Sequence, residues 1–258
     1  MEYETLLLER KETVGFITLN RPKQLNTFTT LLAEEFNKAL DECEKDEEVR
    51  AIIIRGEGKA FCAGIDVNEL KGKECLDYYQ WVSGMEAMAL RISRMGTPVI
   101  ASVHDLAIAN GIAIVAAADL AVAAEGARFG ATAINVGLFC MGPAVPLARC
   151  IGRKKALELL LTGDMIDADE AYRIGLINKV VPPEQLAAET LSLAEKLTKK
   201  SPLALQLGKK SFYKMQDVEY EKAFEMVNNH FALLCSSEDA HEGVDAFLNK
   251  RTPEWKMR

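Results

Sequence analysis

No C-x-x-C pair occurs among the six cysteines, at positions 43, 62, 75, 140, 150 and 235, and the three histidines, 104, 230 and 241, never fall at a zinc-binding interval. Neither a disulfide framework nor a metal site is indicated. Positive charge is also in short supply: 31 basic against 38 acidic residues give a net charge of −7, which argues against a nucleic-acid footprint. A polyanionic ligand would need positive charge supplied locally. An uninterrupted apolar run of membrane-spanning length is missing as well. The most apolar stretch, Val99 to Ala124, carries His104, Asp105, Asn110 and Asp119, which a span would have to desolvate without partners, so it is read as core with no membrane span. The opening MEYETLLLERKE has acids where a secretory leader needs a basic lead, and it is not the Arg-rich pattern of a transit peptide. The expected location is cytoplasmic.

What is present is an ordinary globular composition, 49% apolar and 27% charged. A chain of 28.5 kDa can bury roughly 70% of its extended surface, enough for one core without staples.

Periodicity then places the elements. Tyr3–Glu9 and Thr13–Leu19 read as a hairpin around Arg10–Glu12. Leu31, Leu32, Phe36 and Leu40 recur at helical spacing behind Thr30 as cap, and Ala51–Ile54 reads as a buried strand. A helix over Leu76–Met95, a strand over Pro98–Val103, a short helix over Gly111–Ala118 and a strand over Asp119–Ala124 continue the alternation of an α/β core. Gly142-Pro143 opens a helix, with others over Arg153–Leu160 and Ala168–Ile174. Beyond Pro182-Pro183, helices are expected over Glu184–Lys199, Pro202–Lys214, Glu219–Leu234 and Glu238–Phe247. The chain thus divides into an α/β body, 1–182, and a helical region, 183–258.

Three small-residue stretches sit near strand-to-helix junctions: Lys59 to Asp66, Ala107 to Gly111, and Gly137 to Pro143. There, backbone amides can approach a ligand, and two of them can cradle a developing oxyanion. Close packing is the plainer use of small residues. Neither G-x-G-x-x-G nor G-x-x-x-x-G-K-[ST] is present, so this is not a phosphate loop.

Leu19-Asn20-Arg21-Pro22-Lys23-Gln24-Leu25-Asn26, Phe61–Asp66, Pro98-Val99-Ile100-Ala101, Asp119–Gly130, Leu161-Thr162-Gly163 and Gly175–Val181 together resemble the crotonase (enoyl-CoA hydratase/isomerase) superfamily from end to end. The resemblance implies a spiral of ββα units with a C-terminal helical region, assembled as a homotrimer or a hexamer built as a dimer of trimers. It implies an acyl-CoA ligand, with coenzyme A as the substrate's thioester carrier and no tightly bound cofactor. An oxyanion hole would be made by the amides of Ile65 and Asn110. Coenzyme A would lie along Lys23, Leu25, Ala60, Ala63 and Asp66, with Phe247 and Lys250 coming from the C-terminal helix of the same or a neighbouring subunit. Lys23 and Lys250 also suit phosphate on charge alone, or are solvated lysines. Asp66 either meets the adenine or caps the next helix, and the cap is favoured.

The sequence departs from the family where the proton chemistry belongs. The usual G-G-G reads Ala109-Asn110-Gly111, where an αL-compatible Asn would preserve the turn. The two hydratase glutamates correspond to Ala113 and Ala133, and a third carboxylate position, used by several isomerases, corresponds to Met141. The stretch Ala131–Cys140 resembles a hydratase-domain branch lacking the standard acids. His104, with Asp105 beside it to hold its tautomer, is the general-base candidate, against a satisfied histidine at a strand end. Cys62 and Cys140 read as core thiols. Tyr78, Tyr79 and Trp81 fall in the region that covers the acyl tail in the family the chain resembles and would line the pocket or shape a lid, or else pack as core, and Asp77 is a further acid whose orientation the sequence leaves open. Two functions stand: an acyl-CoA enzyme with unusual acid–base groups, or a non-catalytic acyl-CoA-binding or partner subunit.

Overall fold

A computed structural model describes residues 3–257. Its chain order is β1 (Leu6–Lys11), β2 (Val14–Leu19), α1 (Thr30–Lys45), β3 (Ala51–Gly56), β4 (Ala60–Cys62), α2 (Cys75–Arg94), β5 (Val99–Val103), β6 (Leu106–Ile108), α3 (Asn110–Ala117), β7 (Leu120–Ala124), β8 (Arg128–Gly130) and α4 (Met141–Cys150). There follow α5 (Arg153–Thr162), β9 (Met165–Asp167), α6 (Ala168–Arg173), β10 (Lys179–Val181), α7 (Leu186–Thr198), α8 (Pro202–Met215), α9 (Tyr220–Cys235) and α10 (Glu238–Leu248). One sheet runs β1-β2-β3-β5-β7-β10 and a smaller one β4-β6-β8-β9. In three successive units the first strand joins the large sheet, the second joins the small sheet, and a helix follows. This is the expected ββα spiral.

From β2 onward the large sheet is parallel, and parallel strands need both faces covered. Residues therefore sort with period two. Ile17, Leu19, Ile52, Ile54, Val99 and Ala101 enter the main core, while Val14, Phe16, Ala51, Ile53 and Ile100 face the other way onto Ala194. That second cover is α7, with Leu193 and Leu197 packed beside Ala194. The helix that follows Pro183 is thus part of the body's packing rather than of a separate helical region.

Local chemistry sets the helix boundaries. Thr29, not Thr30, caps α1, its hydroxyl accepting from the Leu32 amide at 3.2 Å. Leu31 is 39% exposed, whereas Leu32, Phe36 and Leu40 are buried. The turn from α2 into β5 is held by Glu44 on α1, which accepts from the amides of Gly96 (2.8 Å) and Thr97 (3.0 Å) and from the Thr97 hydroxyl (2.8 Å).

Burial pushes the Glu44 carboxyl up, but those donors and Lys210 together hold it below its ordinary value. A carboxylate depressed on folding contributes stability above its unfolded pKa, and that contribution is lost as pH falls through the folded value. Glu44→Gln is therefore expected to cost about 1.5–3 kcal/mol at neutral pH and progressively less below about pH 4.5. Urea midpoints across pH 3–7 check it; a penalty that does not shrink in acid would count against it.

Candidate functional site

Two loops meet at the C-terminal ends of β4 and β6. Ile65 forms an isolated parallel bridge with Phe28. The Phe28 amide donates to the Gly64 carbonyl and the Asp66 amide to the Phe28 carbonyl, both at 2.7 Å. Those bonds engage the residues on either side of Ile65, so its own N–H points away. Among the described residues that N–H has no acceptor. Asn110 is the first residue of α3, so its N–H is one of the helix's orphan donors. It too has no acceptor among the described residues, while the preceding Ala109 amide is anchored to the Gly130 carbonyl at 3.0 Å. The loops touch at the residues just before: a Cβ on Gly64, at φ +92°, would lie 2.8 Å from the Ala109 Cβ. Gly111 permits the approach of α3 to β4, since a Cβ there would meet the Cys62 carbonyl oxygen at 2.3 Å. Two acceptor-free amides thus follow two residues that touch, one of them at a helix N-terminus, an arrangement suited to a developing oxyanion.

The turn is kept differently from the expectation. Asn110 is helical, and the positive φ falls on Ala109, at φ 47° and ψ −109°. That region is strained for any residue with a Cβ, by roughly 1–3 kcal/mol. Replacing Ala109 with glycine is expected to relieve the strain and, after the added unfolded-state entropy of glycine, to stabilise the fold by about 1 kcal/mol. A lower midpoint in thermal or urea unfolding would contradict this.

Lys23, Leu25, Ala60, Ala63 and Asp66 are brought together. Lys23 is exposed on the turn Pro22–Gln24, and the Ala63 amide donates to the Leu25 carbonyl at 3.0 Å. Asn26, which sequence reasoning passed over, is the keystone of this loop. It is fully buried at φ 55°, accepts from the Arg21 amide at 2.8 Å, and donates to the carbonyls of Glu57 (2.9 Å) and Ala60 (2.8 Å). Its tolerance of left-handed backbone was the available signal. Asp66 caps the next turn by accepting from the Asn68 amide at 3.2 Å, and Arg21 lies 3.3 Å from its other oxygen. Burial raises the Asp66 carboxyl, while Asn68 and Arg21 more than offset it and hold it low.

Phe247 and Lys250 are not joined to that cluster within one chain. α10 packs on α8 and α9, and Phe247, 82% exposed, borders a groove with Leu234, Val244 and Trp255.

His104 does not have the partner expected of it. Its Nε2 donates to the Gly58 carbonyl at 3.0 Å, so the backbone rather than Asp105 holds its ring. Asp77 caps its own helix, accepting from the Glu74 amide at 3.2 Å, and does not reach inward. Trp81 donates to Glu69 at 2.9 Å and Tyr78 donates to the Leu70 carbonyl, tying α2 to the loop after Asp66, while Tyr79 is 71% exposed. Burial pushes the Cys62 thiol up to about 12 and raises Cys140 as well, so both stay protonated and inert. Ala113 is buried one turn beyond Asn110. Ala133 lies on the turn Thr132–Val136, and Met141 is 70% exposed at the start of α4.

A ββα spiral with two unpaired amides at the junction of its loops defines a protein of the crotonase type. The sequence profile of enoyl-CoA hydratase/isomerase proteins matches residues 9–258, and the chain belongs to that family. It is 37% identical over 261 residues to a probable enoyl-CoA hydratase of Rhizobium meliloti, covering 100% of both chains. It is 38% identical over 241 residues to the mouse protein called enoyl-CoA hydratase domain-containing protein 3, mitochondrial, covering 93% of this chain and 80% of the relative. Among solved structures, an enoyl-CoA hydratase of Mycobacterium smegmatis superposes with a TM-score of 0.94 at 40% identity, covering 98% of this chain and 99% of that one.

Proposed function

We propose that the chain binds acyl-CoA thioesters, places the thioester carbonyl against the amides of Ile65 and Asn110, and stabilises the enolate that forms when a proton leaves the carbon beside it. The observation that carries this reading is the pair of acceptor-free amides following Gly64 and Ala109, which are in contact. Membership of a family that acts on coenzyme A thioesters supplies the substrate class. Each preorganised donor is worth about 3–4 kcal/mol where charge develops. Lys23, Leu25, Ala60, Ala63 and Asp66 hold the coenzyme portion in this reading, with Lys250 and Phe247 contributed by a neighbouring subunit.

That last step rests on assembly as a trimer or hexamer. Within one chain α9 has no buried residue, and it exposes Phe224 (53%) and Phe231 (67%). The chain shows 13987 Å² to solvent, against about 11,000 Å² for a compact monomer of its mass. A cytoplasmic location fits the bacterial relatives, whereas other relatives carry mitochondrial names.

Calorimetry with hexanoyl-CoA tests the reading. Saturable binding is expected, and Lys250→Ala should weaken it more at low than at high salt if that lysine meets a phosphate. A native assembly that binds no hexanoyl-CoA would overturn the thioester reading. Unchanged affinity at both salt levels would remove Lys250 alone.

A further inference from the structure

A cavity of about 580 Å³ opens between α2, α3, α4 and α8, walled largely by Ala89, Ala116, Ala117, Val145 and Phe212. Five ionisable side chains border it, and four are engaged. Arg149 pairs with Asp217 at 3.0 Å, Tyr213 donates to Asp119 at 3.0 Å, and the Cys150 thiol faces the Gly175 carbonyl at 3.5 Å. The fifth, Glu86 on α2, has neither a hydrogen bond nor an ion pair among the described residues. An unpaired carboxyl among alanines is costly to keep unless it has a use.

Its position indicates the use. Glu86 and Gly142 are the residues by which α2 and α4 enter this cavity from their N-terminal sides. Those sides lead back to the thioester site: Trp81 on α2 is tied to Glu69, and Cys140 before α4 lies against the Ala133 backbone. Gly142 is cut to fit the carboxyl, since a Cβ there would lie 2.1 Å from Glu86 Oε1. Residue 142 directly follows Met141, whose side chain cannot carry a proton. Along α3, Ala113 and then Ala116 and Ala117 follow Asn110 within about 10 Å of rise, so an acyl chain held at the two amides can run along this helix into the cavity.

We propose that Glu86 is the proton-transfer group of this site, and that the cavity beside it receives the acyl chain. The proposal rests on the thioester reading above. One carboxyl suits a 1,3-proton shift, which needs neither water nor a co-reactant. The Glu86 carboxylate removes a proton from C2 of a 3-enoyl thioester. The electrons of that C–H bond spread to the thioester oxygen at the Ile65 and Asn110 amides. The resulting carboxylic acid returns its proton to C4, a C2–C3 double bond replaces the C3–C4 one, and the carboxylate is regenerated. Burial raises the Glu86 carboxyl above its ordinary value, which brings a base nearer to the pH at which it works.

The test uses 3-hexenoyl-CoA in D₂O, followed by proton NMR for exchange at C2 and for double-bond migration, with hexanoyl-CoA binding measured by calorimetry. Glu86→Gln is expected to slow both processes about 10²-fold or more while hexanoyl-CoA affinity stays within about threefold. The native rate should fall as pH drops through a value above the ordinary glutamate pKa, because the base must be ionised. Gly142→Ala should displace the carboxyl and slow the reaction too, and the Glu86→Gln, Gly142→Ala double variant should be no slower than Glu86→Gln alone. A Glu86→Gln protein exchanging at the native rate overturns the proposal. So does a native protein that binds hexanoyl-CoA yet neither exchanges nor isomerises the enoyl thioester. Failure of the native protein to bind any acyl-CoA overturns the thioester reading and this proposal with it.

Discussion

Crotonyl-CoA should keep its enone absorbance in the presence of the native protein, with hydration about 10⁴-fold or more below the ordinary enzyme range of about 1 to 10³ per second. Adding water across the double bond requires one group to hold and deprotonate the water and another to protonate C2. Each contributes about 10²- to 10⁴-fold. The structure places methyl groups at both positions where the family resemblance puts those acids. Ala113 is 4% exposed on α3, and Ala133 sits on a turn whose carbonyl is already occupied by the Leu138 amide at 3.0 Å. The nearby thiol of Cys140 is raised by burial and stays protonated. Even if Glu86 supplies one proton transfer, no second unpaired carboxyl lines the same cavity. The Ala113→Glu, Ala133→Glu double replacement, once shown to fold and bind hexanoyl-CoA as the native protein does, should gain hydration by roughly 10²-fold or more. Native turnover at about 1 per second or above would sink the expectation.

What was legible beforehand follows from element length. The inner strands β2, β3 and β5 of the large sheet are buried on both faces, so Val14–Leu19, Ala51–Ile54 and Val99–Val103 stand out as apolar runs that need no alternation to be seen. The small sheet was invisible because its strands, Ala60–Cys62, Leu106–Ile108, Arg128–Gly130 and Met165–Asp167, have three residues each. Three residues cannot display a period of two, and they lie among glycines that read as loop. The amides of Ile65 and Asn110 were reachable through the family resemblance. Which residue bears the strained turn was not, because an alanine carries a Cβ and gives no sign of a positive φ, whereas the Asn110 beside it does. Glu86 carried no signal at all. On α2 it is one acid in an amphipathic helix, and its meaning appears when Gly142, 56 positions later, is folded against it.

The helical region was legible as helix but not as anchor, and the anchor predicts the largest loss of stability. Lys209 on α8 is 8% exposed and lies 2.6 Å from Asp119, which is 16% exposed. Asp119 also accepts from the Val99 amide at 2.7 Å and the Tyr213 hydroxyl at 3.0 Å, while Lys209 donates to the Thr97 carbonyl at 2.9 Å. One helix is thereby fastened to the starts of β5 and β7. Burial outweighs the mutual attraction, leaving the carboxyl above and the ammonium below their ordinary values. The pair as a whole therefore adds little net stability, yet removing one member strands the other in a dry site at a cost of about 3–5 kcal/mol. Lys209→Ala should lose that amount, a large share of the roughly 5–15 kcal/mol that holds a typical domain, and should lower the melting temperature by roughly 10 °C. Adding Asp119→Asn to Lys209→Met should cost less than the two single replacements summed, since the stranded charge is then gone. Urea unfolding at one fixed protomer concentration separates this from any shift in assembly. A Lys209→Ala protein within about 1 kcal/mol of native would show that α8 is held by its apolar packing. The loss expected here reaches the cavity as well, because Phe212 and Tyr213, three and four residues further along the same helix, wall it together with Glu86.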